Sequence, residues 1–329
     1  MKHGGDLTDA IAQYGGAPEL WLDLSTGINP HPWLVPALPD ALWQRLPSRA
    51  DESALLSAAR DAYHVPAGVE IVAAPGTQAL IQWLPRLAPS GPVAIVSPTY
   101  NEHAAAWHLA GCEVVAVRAL EELPAHARHA VVVNPNNPDG RVVDRAALAR
   151  IAGTLQARGG WLMIDEAFAD IDPAVSVVAL CRDLPVVVLR SFGKFYGLAG
   201  LRLGFAIGAP DIIARIAAAL GPWACSGPAL AIGAAALRDI AWAECAREDL
   251  CKQARKLDAV LGAAGFDIVG GTALFRLARH ASARALHATL AKQRIWCRKF
   301  NWSGDLLRFG LPADDAGLAR LAAALAVHD

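Results

Sequence analysis

The chain has few of the features that mark nucleic-acid-binding, zinc-binding or membrane proteins. Its 329 residues carry a formal net charge of -1, so no basic field attracts nucleic acid or an anionic membrane surface. The six cysteines form no C-x-x-C pair and no cysteine–histidine spacing of the zinc type. The longest apolar runs are interrupted well short of the roughly 20 residues that a membrane span needs.

The beginning of the sequence also lacks an apolar stretch of the kind that a secretory signal contains, since Met1 to Asp6 reads MKHGGD. We therefore expect a cytoplasmic protein with reduced thiols. We expect no metal site and no nucleic-acid or membrane partner.

The composition and the hydrophobic pattern predict an α/β protein. Hydrophobic residues make up 54% of the chain and charged residues 19%, which is enough apolar material for a large core. Short β-branched runs alternate with alanine- and leucine-rich stretches of helical period, a pattern typical of a mostly parallel sheet flanked by helices. The seven predicted strands of this sheet are Ile71–Ala73, Val93–Val96, Glu113–Val117, Ala130–Val133, Trp161–Ile164, Val186–Leu189 and Leu203–Ile207.

Helices are predicted between these strands, and the pattern changes in the last third of the chain. The clearest helices are Thr77–Leu87, Glu102–Ala110 and Asp144–Arg158, the last with Asp144 as its N-cap. After about Pro222 a long helical region runs to Ala264, followed by two strands near 266–269 and 274–277 and by further helices. This predicts an irregular arm and part of a small α+β domain in residues 1–45, a large domain in 46–222 and a C-terminal small domain in 223–329.

Lysine is scarce, and one lysine stands in an informative context. From His3 through Cys251 the only lysine is Lys194, although arginine is common there. Ser191 stands three residues before Lys194 and Arg202 eight residues after it, in a glycine-rich stretch that follows a predicted strand. An amine can become a nucleophile towards a carbonyl, whereas arginine is a permanent cation suited to a phosphate.

This Ser-x-x-Lys stretch with its following arginine resembles the fold-type I aminotransferases, a family that depends on pyridoxal 5'-phosphate (PLP). The resemblance implies the PLP-dependent transferase fold and makes 46–222 the PLP-binding domain. It implies that Lys194 holds PLP as a Schiff base and that Ser191 and Arg202 bind the PLP phosphate. A chance lysine in a glycine-rich loop is the alternative.

Further residues match the family in the expected order. The resemblance assigns the pyridine nitrogen of PLP to Asp165, in WLMIDEAF, where a strand-end surface aspartate is the alternative. It assigns Asn137, in NPNNPDG, to the ring oxygen, and it assigns ring stacking to Tyr100, which could otherwise be a core tyrosine. The phosphate-binding turn between a strand and a helix would consist of Gly76, Thr77 and Gln78.

Two positions depart from the family pattern. Many members have tyrosine three residues after the aspartate, where this chain has Phe168. A tyrosine–proline pair commonly binds the cofactor phosphate of the partner subunit, and here the corresponding pair is Leu46–Pro47. The resemblance still implies a homodimer, but without this tyrosine contact.

The resemblance is closest to the branch that contains histidinol-phosphate aminotransferases and threonine-phosphate decarboxylases. The start His3-Gly4-Gly5 and the segment LSTGINP, with Gly27, are similar to substrate-binding elements of the decarboxylases. By this resemblance Arg308 would bind the carboxylate of a small phosphorylated amino acid, and Arg298, helped by His3, would be the second anion contact. Gly27 and Asn137 would also contact the substrate. For either arginine a surface ion pair is the alternative.

The expected activity is therefore the PLP-dependent decarboxylation of L-threonine O-3-phosphate to (R)-1-aminopropan-2-yl phosphate in cobalamin biosynthesis, with Lys194 and Asp165 as the catalytic residues. An aminotransferase for histidinol phosphate or a similar amine is the leading alternative, because it would share every cofactor residue. A PLP-binding regulator without turnover is less compatible with the sequence, since such proteins usually carry a fused DNA-binding domain.

Overall fold

The computed structural model describes residues 4–326, which fold into two compact units. The larger unit comprises Trp33–Asn137 and Arg141–Trp242. The smaller unit comprises the residues up to Pro32, the short segment Pro138–Gly140 and the residues from Ala243 onwards. No helix in this part of the chain is long and apolar enough to cross a membrane.

In chain order the helices are α1 (Thr8–Tyr14), α2 (Ala41–Gln44), α3 (Arg49–Ala62), α4 (Thr77–Leu87), α5 (Asn101–Leu109), α6 (Arg145–Ala157), α7 (Phe192–Phe195), α8 (Pro210–Leu220), α9 (Gly227–Arg238), α10 (Ile240–Ala263), α11 (Ala283–Lys292) and α12 (Asp315–Ala326). The strands are β1 (Leu22–Leu24), β2 (Glu70–Ala74), β3 (Val93–Val96), β4 (Val114–Val117), β5 (His129–Val133), β6 (Leu162–Asp165), β7 (Val186–Ser191), β8 (Gly204–Gly208), β9 (Asp267–Thr272), β10 (Phe275–Arg279), β11 (Ile295–Lys299) and β12 (Leu306–Gly310). Short 3-10 turns occur at Pro18–Leu20, Leu120–Glu122, Pro173–Val175, Val178–Arg182 and Ala199–Leu201.

The larger unit contains a seven-stranded sheet in the order β2-β8-β7-β6-β5-β3-β4. Neighbouring strands run parallel except for β8, which is antiparallel to both β2 and β7. The central strands β5, β6 and β7 are buried along their whole length, which explains why they read as continuous apolar runs. The predicted fold class and the mostly parallel sheet are confirmed.

The helices of this unit follow local signals in the sequence. Asp144 is the N-cap of α6, as predicted, and its side chain accepts a hydrogen bond from the backbone N–H of Ala147. Helix α3 begins with a capping box in which Ser48 and Asp51 satisfy each other's backbone N–H groups. Residues on one side of α4, including Leu80, Ile81 and Leu84, are buried in the core beside β2.

The smaller unit contains a five-stranded sheet in the order β1-β11-β12-β10-β9. The sequence predicted two strands here followed by further helices, and that prediction was wrong for β11 and β12. β1 was also not predicted: it begins within the segment interpreted as an irregular arm and pairs in parallel with β11. These two strands come from opposite ends of the chain, so the pairing leaves no local signal.

The divisions between the units also differ from the predicted boundaries at 45/46 and 222/223. The chain changes from one unit to the other at Pro32/Trp33 and at Trp242/Ala243. Helix α9 explains the second difference, because it packs along α3 within the larger unit. At Gly233 a Cβ would lie 2.8 Å from Leu55 Cδ1, so glycine permits this close approach.

Candidate active site

Polar side chains collect at one edge of the seven-stranded sheet. The carboxyl ends of the parallel strands β2, β3, β5, β6 and β7 lie at that edge, and the antiparallel strand β8 begins there. Open α/β sheets bind their ligands at this edge. The predicted site residues of the larger unit end these strands or follow them closely: Gly76, Thr77, Gln78, Tyr100, Asn137, Asp165, Ser191, Lys194 and Arg202.

Gly76 and Arg202 form one end of this site. Gly76 precedes α4 with φ of 82°, and a Cβ there would lie 2.7 Å from Nη2 of Arg202. The exposed Arg202 is itself held in the left-handed region, and its Nη1 donates to the carbonyl of Ala199 at 3.0 Å. A guanidinium therefore lies at the N-terminus of an 11-residue helix, where Thr77 supplies the first helical N–H group. Both features favour a phosphate.

Asp165 lies deeper in the site, at the end of β6. It is 4% exposed, and its Oδ2 lies 2.9 Å from Nε2 of His103, which is also buried. The other carboxylate oxygen accepts the backbone N–H of Ala167 at 3.0 Å. The carboxylate is thus held in one orientation by groups that donate hydrogen bonds.

Sequence reasoning missed His103. A signal for it was available, because His103 stands three residues after Tyr100 at the start of α5, a spacing that places both residues on one side of a helix. The two rings contact edge to face with centroids 6.1 Å apart. His103 therefore connects the predicted stacking residue to the predicted acid.

Lys194 lies on the single-turn helix α7, directly after β7. Ser191 ends β7 and is opposite Gly204, the first residue of β8. Because Gly204 lacks a side chain, β8 approaches α4: a Cβ at this glycine would lie 2.7 Å from the backbone nitrogen of Thr77. This close packing draws the segment with Ser191 and Lys194 towards the helix N-terminus.

Gln78, Tyr100 and Asn137 complete the predicted cofactor residues of this edge. The Tyr100 hydroxyl donates to Oε1 of Gln78 at 3.2 Å, and the Gln78 amide donates to Glu102 at 3.0 Å. The Gln78 side chain therefore lies beside the tyrosine, which leaves its backbone N–H as the group suited to a phosphate. Asn137 is half-buried and follows Asn136, whose side chain accepts a hydrogen bond from Thr99 at 2.6 Å.

A buried ion network directly beneath these residues was also missed. Arg190, 3% exposed, donates to Glu166 at 2.8 Å and to Asp170 at 2.5 Å. Its guanidinium also lies over the ring of Tyr63, 4.4 Å from the centroid. Glu166 directly follows Asp165 and Arg190 directly precedes Ser191, so the network ties together the ends of β6 and β7. The signal available in the sequence was the occurrence of Arg190, Glu166 and Asp170 in or shortly after apolar strands.

The predicted substrate residues of the smaller unit include two arginines on neighbouring strands. Arg298 on β11 and Arg308 on β12 are directly opposite each other, so their side chains leave the same face of the sheet. Arg308 is 3% exposed and donates through Nη2 to the carbonyl of Ser25 at 2.7 Å. Burial first, and then the positive charge of Arg298, lower the pKa of Arg308 to about 9.

Gly27 is buried in the loop that follows β1, and His3 lies outside the described residues. Two guanidiniums on one face of the sheet repel each other, and an anion bound beside them would offset that repulsion.

The residues of the larger unit fit PLP, the cofactor that the resemblance implies. The space at Gly76 would be filled by any Cβ, and Arg202 and the start of α4 border it with donors that suit a phosphate. Asp165 supplies a buried carboxylate for a protonated ring nitrogen. Lys194 is the only lysine of this unit and supplies an amine for the Schiff base.

Comparison with known proteins agrees with this fold. The family described as aminotransferase class I and II matches residues 47–325. The sequence is 47% identical to a threonine-phosphate decarboxylase from a Sinorhizobium species, over 99% of this chain and 98% of the relative. It is 44% identical to a threonine-phosphate decarboxylase from Pseudomonas aeruginosa, over 99% and 97% of the two chains.

Among solved structures, the histidinol-phosphate aminotransferase from Sinorhizobium meliloti in complex with pyridoxal 5'-phosphate superposes with a TM-score of 0.79 at 21% identity. It covers 97% of this chain and 93% of that protein. The fold and the matched family define the class: the chain belongs to the aminotransferase class I and II family. The resemblance identified from the sequence is confirmed, and two relatives that match over nearly their full length are threonine-phosphate decarboxylases.

Proposed function

We propose that this protein is a PLP-dependent lyase that decarboxylates L-threonine O-3-phosphate to (R)-1-aminopropan-2-yl phosphate. The observation that carries this choice is the similarity to threonine-phosphate decarboxylases over nearly the whole chain. The paired arginines of the smaller unit support it, because the substrate carries both a carboxylate and a phosphate.

The cofactor would be held by residues of the larger unit. Arg202, Ser191 and the N–H groups at the start of α4 would bind the PLP phosphate, and Tyr100 would pack against the ring. Asn137 would donate to the ring oxygen, and Lys194 would attach the cofactor covalently. When bound, PLP supplies a sink for the electron pair that the breaking carbon–carboxylate bond leaves behind.

Asp165 and His103 would hold a proton on the ring nitrogen. A carboxylate keeps a neighbouring cationic group protonated, and His103 fixes this carboxylate by a hydrogen bond at 2.9 Å. Because both side chains are buried, water does not compete for the carboxylate oxygens. Asp165 would therefore act at the ring nitrogen of PLP, where a positive charge favours the loss of CO2.

The substrate end would decide which bond breaks. Arg308 and Arg298 would bind the two anionic groups, with Gly27, Asn137 and His3 as further contacts. Binding the substrate through both anionic groups would restrict rotation about its Cα bonds. This restriction would select the bond to the carboxylate, rather than the bond to the proton, as the one that breaks. The amine of Lys194 would then return a proton to Cα.

Transamination of histidinol phosphate is the second candidate function. The structural likeness to the histidinol-phosphate aminotransferase supports it only at the level of the fold, since the identity is 21%. A regulator without turnover is a weaker candidate, because the two relatives that match over nearly the whole chain are named as decarboxylases.

The cellular setting is part of the same proposal. We place the reaction in cobalamin biosynthesis, in the cytoplasm and in a homodimer. All six cysteines of the described residues are free thiols, which agrees with a reducing compartment. Self-association is supported by four exposed apolar side chains of the larger unit, those of Leu34, Trp43, Leu46 and Trp223.

The deciding experiment compares two reactions of the purified, PLP-loaded protein. We expect CO2 release from L-threonine O-3-phosphate and no amino transfer from histidinol phosphate to 2-oxoglutarate. Lys194→Ala should abolish turnover and covalent cofactor attachment together. Amino transfer without CO2 release would replace the proposed function with the second candidate.

A further inference from the structure

Ser25, the first residue after β1, has a set of contacts that the proposed chemistry does not use. It is fully buried, its backbone N–H donates to Oδ1 of Asp23 at 2.8 Å and its hydroxyl donates to the same oxygen at 2.6 Å. The hydroxyl oxygen also accepts the backbone N–H of Gly5 at 2.9 Å, and the Ser25 carbonyl accepts Nη2 of Arg308 at 2.7 Å. One residue thus joins the N-terminal segment to a buried arginine.

The N-terminal segment lies so close to Ser25 that only glycine fits. A Cβ at Gly4 would overlap the carbonyl oxygen of Ser25, the same atom that accepts the hydrogen bond from Arg308. Gly5 has φ of 88°, and a Cβ there would lie 3.2 Å from the methyl group of Thr26. Close packing therefore explains why positions 4 and 5 are glycine, and the sequence alone did not reveal this reason.

Strand β12 lies on the other side of the same loop. A Cβ at Gly310 would overlap the carbonyl oxygen of Thr26, so the loop rests directly on the backbone of this strand. Arg308 and Gly310 are two residues apart on β12 and therefore lie on one face. Three layers result within the smaller unit: β12, the loop Ser25–Thr26, and Gly4–Gly5.

We infer that Ser25 is a positioning residue for the arginine pair. Held by Asp23, it fixes the guanidinium of Arg308 and the segment Gly4–Gly5 in one arrangement, and it thereby sets the affinity of Arg298 and Arg308 for a phosphate-bearing substrate. The inference rests on the proposed function only in taking the bound anion to be part of the substrate.

The charges around Arg308 explain why such fixation matters. Arg298 is directly opposite and repels it, and Asp23 is the nearby carboxylate that attracts it. Asp23 Oδ1 accepts two hydrogen bonds from Ser25, so loss of the hydroxyl leaves the carboxylate held by the backbone N–H alone and less firmly oriented. Binding two anionic groups requires both guanidiniums in fixed positions, since each misplaced hydrogen bond weakens binding.

The test compares Ser25→Ala with Ser303→Ala in the PLP-loaded enzyme. Ser303 also donates its hydroxyl to a nearby carboxylate of the smaller unit, that of Asp305, in the turn that precedes β12. We expect Ser25→Ala to raise the KM for L-threonine O-3-phosphate about tenfold with kcat within about twofold, as one lost hydrogen bond in a charged network predicts. Ser303→Ala should leave both values unchanged.

Two measurements do not depend on which reaction the enzyme catalyses. In Ser25→Ala, hydrogen exchange at the Gly5 amide should be at least about tenfold faster, since its acceptor is gone. The Kd of the holoenzyme for inorganic phosphate, measured by calorimetry, should rise in the same variant. Wild type that binds phosphate but fails to release CO2 would sink the proposed function and leave this inference standing.

Gly4→Ala disturbs the same arrangement from the N-terminal segment, and it replaces Ser25→Ala in the test if that variant does not fold. Its methyl group should displace the N-terminal segment, accelerate exchange at Gly5 and weaken phosphate binding. In the double variant the two effects should not add, because both substitutions loosen the packing of Gly4–Gly5 on Ser25. Normal phosphate affinity in both single variants, or a loss equal to that of Ser303→Ala, would overturn the inference.

Discussion

Phe168 is the residue for which we expect an effect on the spectrum of bound PLP. It is buried and stands three residues after Asp165, where many family members have a tyrosine. A phenol there would donate to the ring oxygen and stabilise its negative charge by about 1.5–3 kcal/mol. We expect Phe168→Tyr to lower the pH midpoint of the visible absorbance change of the PLP-loaded protein by about one unit or more.

The measurement is a spectrophotometric pH titration of both proteins. Phenylalanine disfavours the deprotonated form, so the wild type should keep its acid-form spectrum to the higher pH. Equal midpoints would show that the residue at this position does not contact the cofactor oxygen.

At the same scale, the sequence predicted single residues better than their partners. Lys194, Ser191 and Arg202 could be identified because a family motif spaces them along one segment, and their roles remain predictions. His103 and Arg190 could not be assigned in this way, because their importance depends on Asp165, Glu166 and other residues distant in the chain. Ser25 likewise has no motif of its own beyond the segment LSTGINP.

At the scale of elements, the start of α4 provides a test of the phosphate site. Gly76→Ala should place a methyl group 2.7 Å from the Arg202 guanidinium and strain a residue with φ of 82°. We expect the Kd for PLP to rise at least about tenfold, since a displaced charged hydrogen-bond donor is worth about 1.5–3 kcal/mol. Fluorescence titration of the apoenzyme with PLP measures this change.

Gly15→Ala is the matched control. Gly15 has a similar backbone conformation, with φ of 72° and ψ of -174° against 82° and 157° at Gly76, but no atom lies within 4 Å of its Cβ position. Both variants therefore carry similar backbone strain, and only Gly76→Ala disturbs Arg202. Equal loss of PLP affinity in the two variants would mean that strain alone, and not contact with the phosphate site, is responsible.

Helix α11 carries a histidine that should make the protein sensitive to acid. His287 is 3% exposed, and its Nε2 lies 3.2 Å from the carbonyl oxygen of Cys297. Burial, and to a lesser degree the charge of Lys299, lower the pKa of His287 from 6.5 to about 4. The folded state thus keeps this ring neutral at pH values where the unfolded chain has already bound a proton.

The sign of the effect follows from this difference in bound protons. The stability that neutral His287 permits is fully present above pH 6.5, where both states are deprotonated. It falls as the pH drops from 6.5 towards 4, by at most about 3 kcal/mol. We expect His287→Gln, which keeps a donor for Cys297 but does not titrate, to show a smaller decrease in Tm between pH 7 and pH 4.5. The exposed His108→Gln should behave like wild type.

The elements themselves were predicted unequally in the two units. All seven strands of the large sheet were found because each is a short, largely apolar run bounded by helical or turn-forming segments. β11 and β12 were missed because their apolar residues do not alternate with polar ones, so neither strand shows the two-residue period. β1 has only three residues and pairs with β11 from the far end of the chain.

At the scale of the whole molecule, the larger unit exposes an apolar surface that a second copy would cover. Leu34, Trp43, Leu46 and Trp223 are between 59% and 86% exposed. Trp223 borders a cavity of about 350 Å³ together with Pro47 and Arg49, so the surface is contiguous with the segment around Leu46. An exposed patch of this kind is typical of an interface rather than of a monomer.

We therefore expect a dimer in solution, and we expect the double variant Trp43→Asp/Leu46→Asp to be monomeric. Burying two carboxylates in an apolar interface is strongly unfavourable, because each loses its hydration without a partner. Light scattering during gel filtration gives the mass, with Leu109→Asp as control: Leu109 is 69% exposed but lies on α5, away from this surface in the chain. A wild-type monomer, or a double variant that stays dimeric like the control, would contradict the assignment of this surface. A monomeric double variant that still binds PLP would further show that the residues of one chain suffice for the cofactor, as the replacement of the family's tyrosine by Leu46 suggests.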